Sequence, residues 1–264
     1  MNHEDNSSIK QKSKGFTLIE LLLAMTFIST LLLTIAMTIV QIANIYNHGM
    51  IIKELNQTAR SLTQEIDRSV RASSSFSIDG PNPQFINNEW GGRLCMGQYS
   101  YVWNYGPAPS ALNLNRNLYA PLSSTAVTSA SNVVKDSSGT RPEISFVKVL
   151  DPAGSYCVKD VSKGYPPVDL LNATELLRSG DHSLAIYAFS VASAPTAKDT
   201  LSGQALYKFS FTLGTSDPGA LTTNSSNKID ANSLCKAPNV SGSDLNYCSI
   251  EQFTIVLRAV SGVN

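Results

Sequence analysis

Residues 14–22 read Lys-Gly-Phe-Thr-Leu-Ile-Glu-Leu-Leu and open the most apolar part of the chain. Beyond them, residues 21–52 carry no formal charge. A spanning helix needs about 20 predominantly apolar residues to cross a hydrocarbon core of roughly 30 Å. Residues 16–45 exceed that length, so the sequence predicts a transmembrane helix over 16–45.

The charges that flank the apolar run predict its orientation. Lys10, Lys12 and Lys14 stand directly before it, and lysines at one end of a span keep that end in the cytoplasm. The long remainder is therefore predicted to be exported from the cytoplasm. A cleaved secretory leader would need small residues after its apolar core, but residues 40–46 read Val-Gln-Ile-Ala-Asn-Ile-Tyr. We therefore expect the apolar segment to stay attached to the exported part.

Glu20 is a carboxylate inside the predicted span. An acidic side chain in a membrane helix costs roughly 3 kcal/mol on insertion scales, so such residues tend to be paired or functional. The sequence therefore predicts a cationic partner for Glu20. The terminal amine of a chain that began at Phe16 would lie about one helical turn away. In the alternative interpretation, Glu20 lies at headgroup depth and extends into water.

Four threonines, Thr26, Thr30, Thr34 and Thr38, recur at four-residue spacing and therefore lie along one face of the predicted helix. Two interpretations remain open. Small and hydroxyl residues allow close helix approach in lipid, so the row is a candidate packing seam between helices. Threonine hydroxyls can equally bond the carbonyls of their own preceding turn.

The run over residues 14–22 resembles the leader and N-terminus of type IV prepilins and type II secretion pseudopilins. The resemblance implies that a membrane-embedded prepilin peptidase removes residues 1–15 as a leader, cutting between Gly15 and Phe16, and methylates the new amine. It also implies that Glu20 pairs with the terminal amine of a neighbouring subunit. The partners implied are other pilin subunits, the peptidase, an inner-membrane assembly platform and, before assembly, the membrane itself.

Residues 46–75 predict an amphipathic continuation of the helix. No proline occurs between residues 16 and 80, so nothing in this stretch forces the helix to end at the membrane. Apolar residues recur at helical spacing, and two oppositely charged pairs, Glu65 with Arg68 and Asp67 with Arg71, decorate the other side. The stripe consists of Ile45, Ile52, Leu55, Ala59, Leu62, Ile66 and Val70. The helix is expected to end near residues 73–75, with Gly49 as its weakest point.

Residues 76–264 predict an exported, β-rich globular head. Alternating apolar residues predict strands near 99–105, 144–150, 184–189, 207–213 and 253–259. Residues 168–178 predict a short helix, and residues 91–95 a turn into the first of these strands. The fold class is therefore α+β, and the resemblance implies a pilin-like fold with a long N-terminal helix packed on an antiparallel sheet. The aromatic residues of 99–105 share one face, which is either buried or a flat binding surface.

The four cysteines, Cys95, Cys157, Cys235 and Cys248, all lie in the predicted exported part. An even number there favours disulfides, of which three pairings are possible. We prefer Cys235 with Cys248, which closes a short polar loop, and Cys95 with Cys157. A zinc site is disfavoured because there is no C-x-x-C and no close histidine. The loop at 235–248 is also similar to the disulfide-bounded region of many type IV pilins.

Composition and motifs exclude several functions. Twenty basic and 20 acidic residues cancel, so no nucleic-acid binding is predicted. The sequence contains no H-E-x-x-H, G-x-S-x-G, Walker or calcium-loop motif, and the neighbours Asp-His-Ser at 181–183 cannot form a catalytic relay. The sequence therefore predicts no enzyme, cofactor or metal site.

The predicted function is a structural subunit, in a minor position, of a type IV pilus or related filament. The chain would be held in the cytoplasmic membrane by a single span, with its head exported, and would then enter an extracellular filament. The large, loop-rich head looks like that of PilW-like and J-type minor pilins, and the 249 residues left after removal of residues 1–15 exceed the size expected of a bulk subunit, which favours the minor position. The long polar stretches at 108–141, 191–203 and 215–246 are either recognition surfaces or loosely ordered decoration. The alternatives are a major pilin, or a membrane-anchored exported adhesin or enzyme.

Overall fold

A computed structural model describes residues 15–80, 82–88, 91–105, 146–159, 165–166, 168, 172–177, 184–193, 205–215, 217–225 and 229–259. The chain divides into two compact units, Met1–Tyr46 and Asn47–Asn264. Several sequence predictions fall outside the described residues: the polar stretch at 108–141, most of the stretch at 191–203, and the Asp-His-Ser run at 181–183.

One helix, α1, extends over Leu18–Arg71, and Gly49 does not interrupt it. Its end agrees with the sequence, because the Ser73 hydroxyl donates to the Val70 carbonyl at 2.9 Å and no helix follows directly. In the first unit, the large apolar side chains of α1 are exposed. In the second unit, a stripe along α1 is buried, namely Ile51, Leu55, Ala59, Leu62, Ile66 and Val70. The placing of Ile45 and Ile52 in this stripe is wrong, because they are 74% and 38% exposed, and Ile51 is buried in place of Ile52. The predicted pairs Glu65 with Arg68 and Asp67 with Arg71 both form.

Two antiparallel sheets follow α1 in the described second unit. The first has five strands in the order β1 to β5, and the second has three in the order β6 to β8. Their bounds are β1 Phe85–Asn88, β2 Gly91–Met96, β3 Tyr99–Asn104, β4 Phe146–Leu150, β5 Ala173–Glu175, β6 Leu184–Ser193, β7 Ala205–Thr215 and β8 Ile250–Ala259. An isolated bridge between Tyr105 and Ile186 joins the two sheets. The layout is α+β, with one long N-terminal apolar helix and antiparallel sheets.

All five predicted strands are present, but the turn predicted over residues 91–95 is wrong. These residues lie in β2, which pairs with β3 from Gly91 opposite Asn104 to Met96 opposite Tyr99. The turn comes two residues later than predicted, where Gly97 has a φ of 60°. Gly92 is needed for packing, because a Cβ there would lie 2.5 Å from the Trp103 ring and 2.3 Å from the Ile86 carbonyl oxygen.

The short helix predicted over residues 168–178 is also wrong, because Ala173–Glu175 form β5. Ala173 pairs with Val149 and Glu175 with Val147 at the edge of the first sheet. The Glu175 carboxylate accepts a hydrogen bond from the Phe146 amide at 2.8 Å. The predicted cap Asp169 and the terminating Gly180 lie outside the described residues. The edge pairing with β4 therefore overrides the local helical pattern.

The main core of the second unit lies where the buried stripe of α1 meets aromatic residues from both sheets. Tyr101 and Trp103 of β3 are fully buried in it, so the aromatic face of 99–105 belongs to the core and is not a binding surface. Trp103 lies 4.5 Å from Phe189, ring centre to ring centre, and so connects β3 with β6. This shared core fixes residues 47–71 of α1 on the sheets.

Candidate functional site

The first turn of α1 is closed by a reciprocal pair, Thr17 and Glu20. The Thr17 amide and hydroxyl both donate to Oε2 of Glu20, at 2.9 and 2.8 Å. In return, the Glu20 amide donates to the Thr17 hydroxyl oxygen at 3.4 Å. Thr17 precedes the helix and Glu20 is its third residue, which is the arrangement of a capping box. These bonds satisfy amides at the helix start that have no intrahelical acceptor.

Capping is not the role that the sequence predicts for Glu20, whose expected partner is a cation or, in the alternative interpretation, water at headgroup depth. The signal was present, because Thr-x-x-Glu before an apolar run is the signature of a capping box. In the intact chain, residue 16 contributes an amide and no terminal amine. Both contacts from Thr17 use Oε2, and no described residue donates to Oε1 of Glu20. The carboxylate therefore caps its own helix and can still accept a bond from outside.

The predicted cleavage residues Gly15 and Phe16 lie directly before this capping box. Both precede the helix, and among the described residues no heavy atom beyond the chain neighbours lies within 4 Å of the position a Gly15 Cβ would take. The Phe16 side chain is 84% exposed. The peptide bond between them is thus accessible, non-helical backbone, as a protease substrate requires.

The apolar part of α1 is a candidate membrane span, and it is the only helix in the described ranges that meets the length and composition for one. Within Met1–Tyr46, large apolar side chains point outward on every side of the helix; Leu18, Phe27, Leu32 and Ile42, for example, are each more than half exposed. A helix that is apolar all round needs an apolar surrounding, either lipid or other helices.

The four threonines of the predicted row each donate to a carbonyl of the preceding turn. Thr26, Thr30 and Thr34 bond the carbonyl three residues earlier, at 2.8 to 2.9 Å, and Thr38 bonds that of Thr34 at 2.8 Å. A hydroxyl without a partner would be costly in lipid. Because each hydroxyl is satisfied within the helix, the row is compatible with an apolar surrounding. Its use as a packing seam stays a prediction.

A half-buried polar cluster holds the second part of α1 to the first sheet. Glu65 of α1 forms an ion pair with Lys148 of β4, and the Lys148 ammonium lies 3.6 Å from the centre of the Tyr99 ring. The Tyr101 hydroxyl lies 2.6 Å from the Ser69 hydroxyl and donates to Glu65 at 3.3 Å. Burial raises the pKa of Tyr101, so its hydroxyl remains protonated and can donate.

Both preferred disulfides are present, Cys95 with Cys157 and Cys235 with Cys248. No cysteine is free, so none can supply a thiolate to zinc. Near the first disulfide, the fully buried Arg93 guanidinium donates to the carbonyls of Tyr156 and Pro166, at 2.9 and 2.7 Å. Burial lowers the pKa of Arg93 to about 10. Arg93 and the disulfide together hold the segment after β4 against the first sheet.

Comparison of the chain with protein-family models, with curated proteins and with solved structures finds no match. The function of this chain is therefore inferred from its own residues.

Proposed function

We propose that the chain is a structural subunit, in a minor position, of a type IV pilus or related filament. Residues 16–45 hold it in the cytoplasmic membrane before assembly and then form part of the filament core, while the head lies outside. One observation carries the proposal: a carboxylate on the first turn of an otherwise apolar, uncovered helix, preceded by an accessible Gly15–Phe16 bond.

The uncovered apolar helix supports assembly through helix packing. When such a helix leaves lipid, its side chains must be covered by something equally apolar. Copies of the same helix, or related ones, provide that cover without exposing the surface to water. The satisfied threonine hydroxyls allow the helix to enter either surrounding.

The position of Glu20 supports a role in setting the register between subunits. Cleavage before Phe16 would create an ammonium directly beside Thr17, the residue that Glu20 already contacts. A processed chain would then present a cation and a carboxylate on the same turn. Oε1 of Glu20, to which no described residue donates, can accept from the ammonium of a neighbouring chain in an apolar core, where such a bond is stronger than in water.

The first test is the processing step. The chain is produced together with a prepilin peptidase, and its membrane form is analysed by mass spectrometry. We expect a terminus at N-methylated Phe16. Gly15→Val should block processing because the branched side chain alters the cleavage position, whereas Gly49→Val is the matched control and should be processed normally. An intact Met1, or a cut beyond residue 45, would contradict the proposal.

The second test separates the charge of Glu20 from its capping role. Glu20→Gln retains an acceptor for the Thr17 amide, as glutamine does in capping boxes, but carries no charge. We expect this variant to insert in the membrane and be processed, yet to be absent from sheared filaments. Glu251→Gln, at an exposed position in β8, is the control and should assemble normally. If Glu20→Gln assembles as readily as the unaltered chain, the proposed pairing is wrong.

A further inference from the structure

The outer face of the first sheet, opposite the main core, is covered by the segment that follows β4. Side chains alternate along a strand, so Val102 points away from its neighbour Tyr101, which lies in the main core. On the outer face, Val102 forms a small buried core with Val147, Val149 and Val168. Val168 comes from the covering segment, which we call the strap. The described residues of the strap are 151–159, 165–166 and 168.

A buried cation contacts the strap. Arg93 pairs with Val102 between β2 and β3 and therefore lies on the same outer face, and it is only 1% exposed. Its guanidinium donates to the carbonyls of Tyr156 and Pro166, which both belong to the strap, and lies 5.4 Å from the centre of the Tyr165 ring. A buried guanidinium is costly without acceptors, because all of its polar atoms are donors. The strap contacts therefore offset part of the cost of burying Arg93.

The Cys95–Cys157 disulfide ties the strap to the same strand. Cys95 lies two residues after Arg93 in β2, and residues two apart share one face of a strand. Cys157 directly follows Tyr156, and both lie in a single 3-10 turn over Ser155–Cys157. Neighbouring residues of the strap are therefore held to one face of β2 twice, once by a covalent bond and once by a hydrogen bond.

We propose that the Cys95–Cys157 disulfide and the Arg93 hydrogen bonds form a redox-sensitive lock, in which each stabilises the other and reduction of the disulfide releases the strap. With the disulfide intact, the Tyr156 carbonyl stays within reach of the guanidinium. Once the disulfide is reduced, the strap can move away and water can replace its carbonyls around Arg93. Two features that favour the same closed state are coupled, and the coupling is reciprocal. Removing the guanidinium must therefore make the disulfide easier to reduce.

The reaction of the lock is thiol–disulfide exchange with a small thiol, glutathione. Cys157 is half-buried whereas Cys95 is fully buried, so a glutathione thiolate attacks the Cys157 sulfur, and the Cys95 sulfur leaves as a thiolate and takes up a proton. A second glutathione thiolate attacks the mixed disulfide, which releases Cys157 as a thiol and forms oxidised glutathione. Two electrons pass from two glutathione molecules to the protein. The lock depends on contacts within the head, and on neither the membrane anchoring nor the filament assembly of the proposed function.

The test measures how readily glutathione reduces each disulfide of the folded full chain in detergent micelles. Thiols that form at a series of ratios of reduced to oxidised glutathione are blocked with an alkylating agent, and mass spectrometry of the peptides assigns them to one disulfide or the other. Arg93→Met removes the guanidinium but keeps a long side chain. Arg60→Met is the matched control, because Arg60 is exposed on α1. The Cys235–Cys248 disulfide is an internal control in every sample.

We expect Arg93→Met to raise the equilibrium constant for reduction of Cys95–Cys157 about ten-fold, and to leave that of Cys235–Cys248 unchanged. Arg60→Met should change neither constant. If Arg93→Met leaves the constant for Cys95–Cys157 unchanged or lowers it, the guanidinium does not favour the closed strap and the lock is wrong. An equal rise for both disulfides would mean that Arg93 stabilises the head as a whole, which contradicts a lock confined to the strap.

A second measurement decides the matter where Arg93→Met does not fold. Hydrogen exchange is compared between the unaltered chain and a chain that carries both Cys95→Ser and Cys157→Ser. The amides at positions 157 and 158, which are hydrogen-bonded within the strap, should exchange about ten-fold faster without the disulfide, whereas the amides of β7 keep their rate. Cys235→Ser with Cys248→Ser is the control and should leave the strap amides unchanged. Equal protection of the strap with and without the Cys95–Cys157 disulfide would overturn the lock.

Discussion

The two parts of α1 contain similar apolar residues in opposite surroundings. Leu32 in the first unit is 60% exposed, whereas Leu62 in the second is 1% exposed. The second part presents one apolar stripe, which the sheets cover. The first part is apolar on all sides and needs more cover than one packed face provides. No described residue covers the first part, which is why its function is sought in lipid or in other chains.

The comparison can be tested by truncating one leucine in each part of α1. This test is expected to give the largest difference in the free energy of unfolding. Leu62→Ala should lower the free energy of unfolding of the head by about 2–5 kcal/mol, because it leaves a cavity in a packed core. Leu32→Ala is the matched control and should leave that free energy unchanged. Urea unfolding in detergent, followed by tryptophan emission, measures both. Equal losses for the two variants would mean that the parts of α1 are not distinct in their packing.

A smaller effect is expected from the half-buried ion pair that attaches α1 to β4. Glu65→Gln leaves the Lys148 ammonium with 16% side-chain exposure and no carboxylate from Glu65, at a cost of about 1–3 kcal/mol in the free energy of unfolding. Asp67→Asn is the control, because Asp67 pairs with the largely exposed Arg71 and should contribute less than about 0.5 kcal/mol. If both variants cost the same, the pair at Glu65 behaves as a surface pair.

The sequence predicted those features that depend on a single segment. The uncharged run gave the candidate span, the stripe from Leu55 to Val70 gave the buried face of the helix, and alternation gave five strands. The Cys235–Cys248 disulfide also followed, since the short polar loop between these two residues favoured closure. These features are local because each is determined by residue spacing within one stretch.

The features that the sequence did not predict depend on partners that are distant in the chain. Gly91–Met96 begins with two glycines, which are typical of a turn, but its pairing with β3 makes it a strand. β5 has a local helical pattern, and only its register with β4 makes it a strand. The capping box is a different case, because Thr17 and Glu20 are only three residues apart in the chain. The cost of a charge in the membrane predicts a cationic partner for Glu20, whereas the unpaired backbone amides at the helix start supply its partners in the structure.

Loss of the capping box is expected to have an effect of intermediate size on the stability of the first turn of α1. Thr17→Val removes the hydroxyl and should destabilise the first turn by about 1 kcal/mol, so that its amides exchange hydrogen roughly five-fold faster. Thr34→Val is the control, because its hydroxyl contacts only the Leu31 carbonyl in its own helix. Hydrogen exchange in detergent micelles measures both. Unchanged exchange at residues 18–21 in Thr17→Val would show that the box does not hold the helix start.

The smallest expected effect is a pH dependence that belongs to the head and not to the apolar helix. The buried Asp151 carboxylate accepts hydrogen bonds from the Ser100 and Ser155 hydroxyls, both at 2.7 Å, and from the Tyr156 amide at 3.0 Å. Burial raises the pKa of Asp151, but these hydrogen bonds outweigh it and lower the pKa below its ordinary value.

Because the pKa of Asp151 is lower in the folded head than in the unfolded chain, the folded state binds this proton less readily. Its stabilising contribution is therefore complete above the unfolded value of about 3.9 and is lost as the pH falls through the folded value. Asp151→Asn should lose less stability on acidification than the unaltered chain, and Ser100→Ala, which removes one donor, should be intermediate. Urea unfolding at a series of pH values measures the three slopes. Parallel slopes would mean that these hydrogen bonds do not favour the charged form of Asp151, and that the acid sensitivity of the head arises elsewhere.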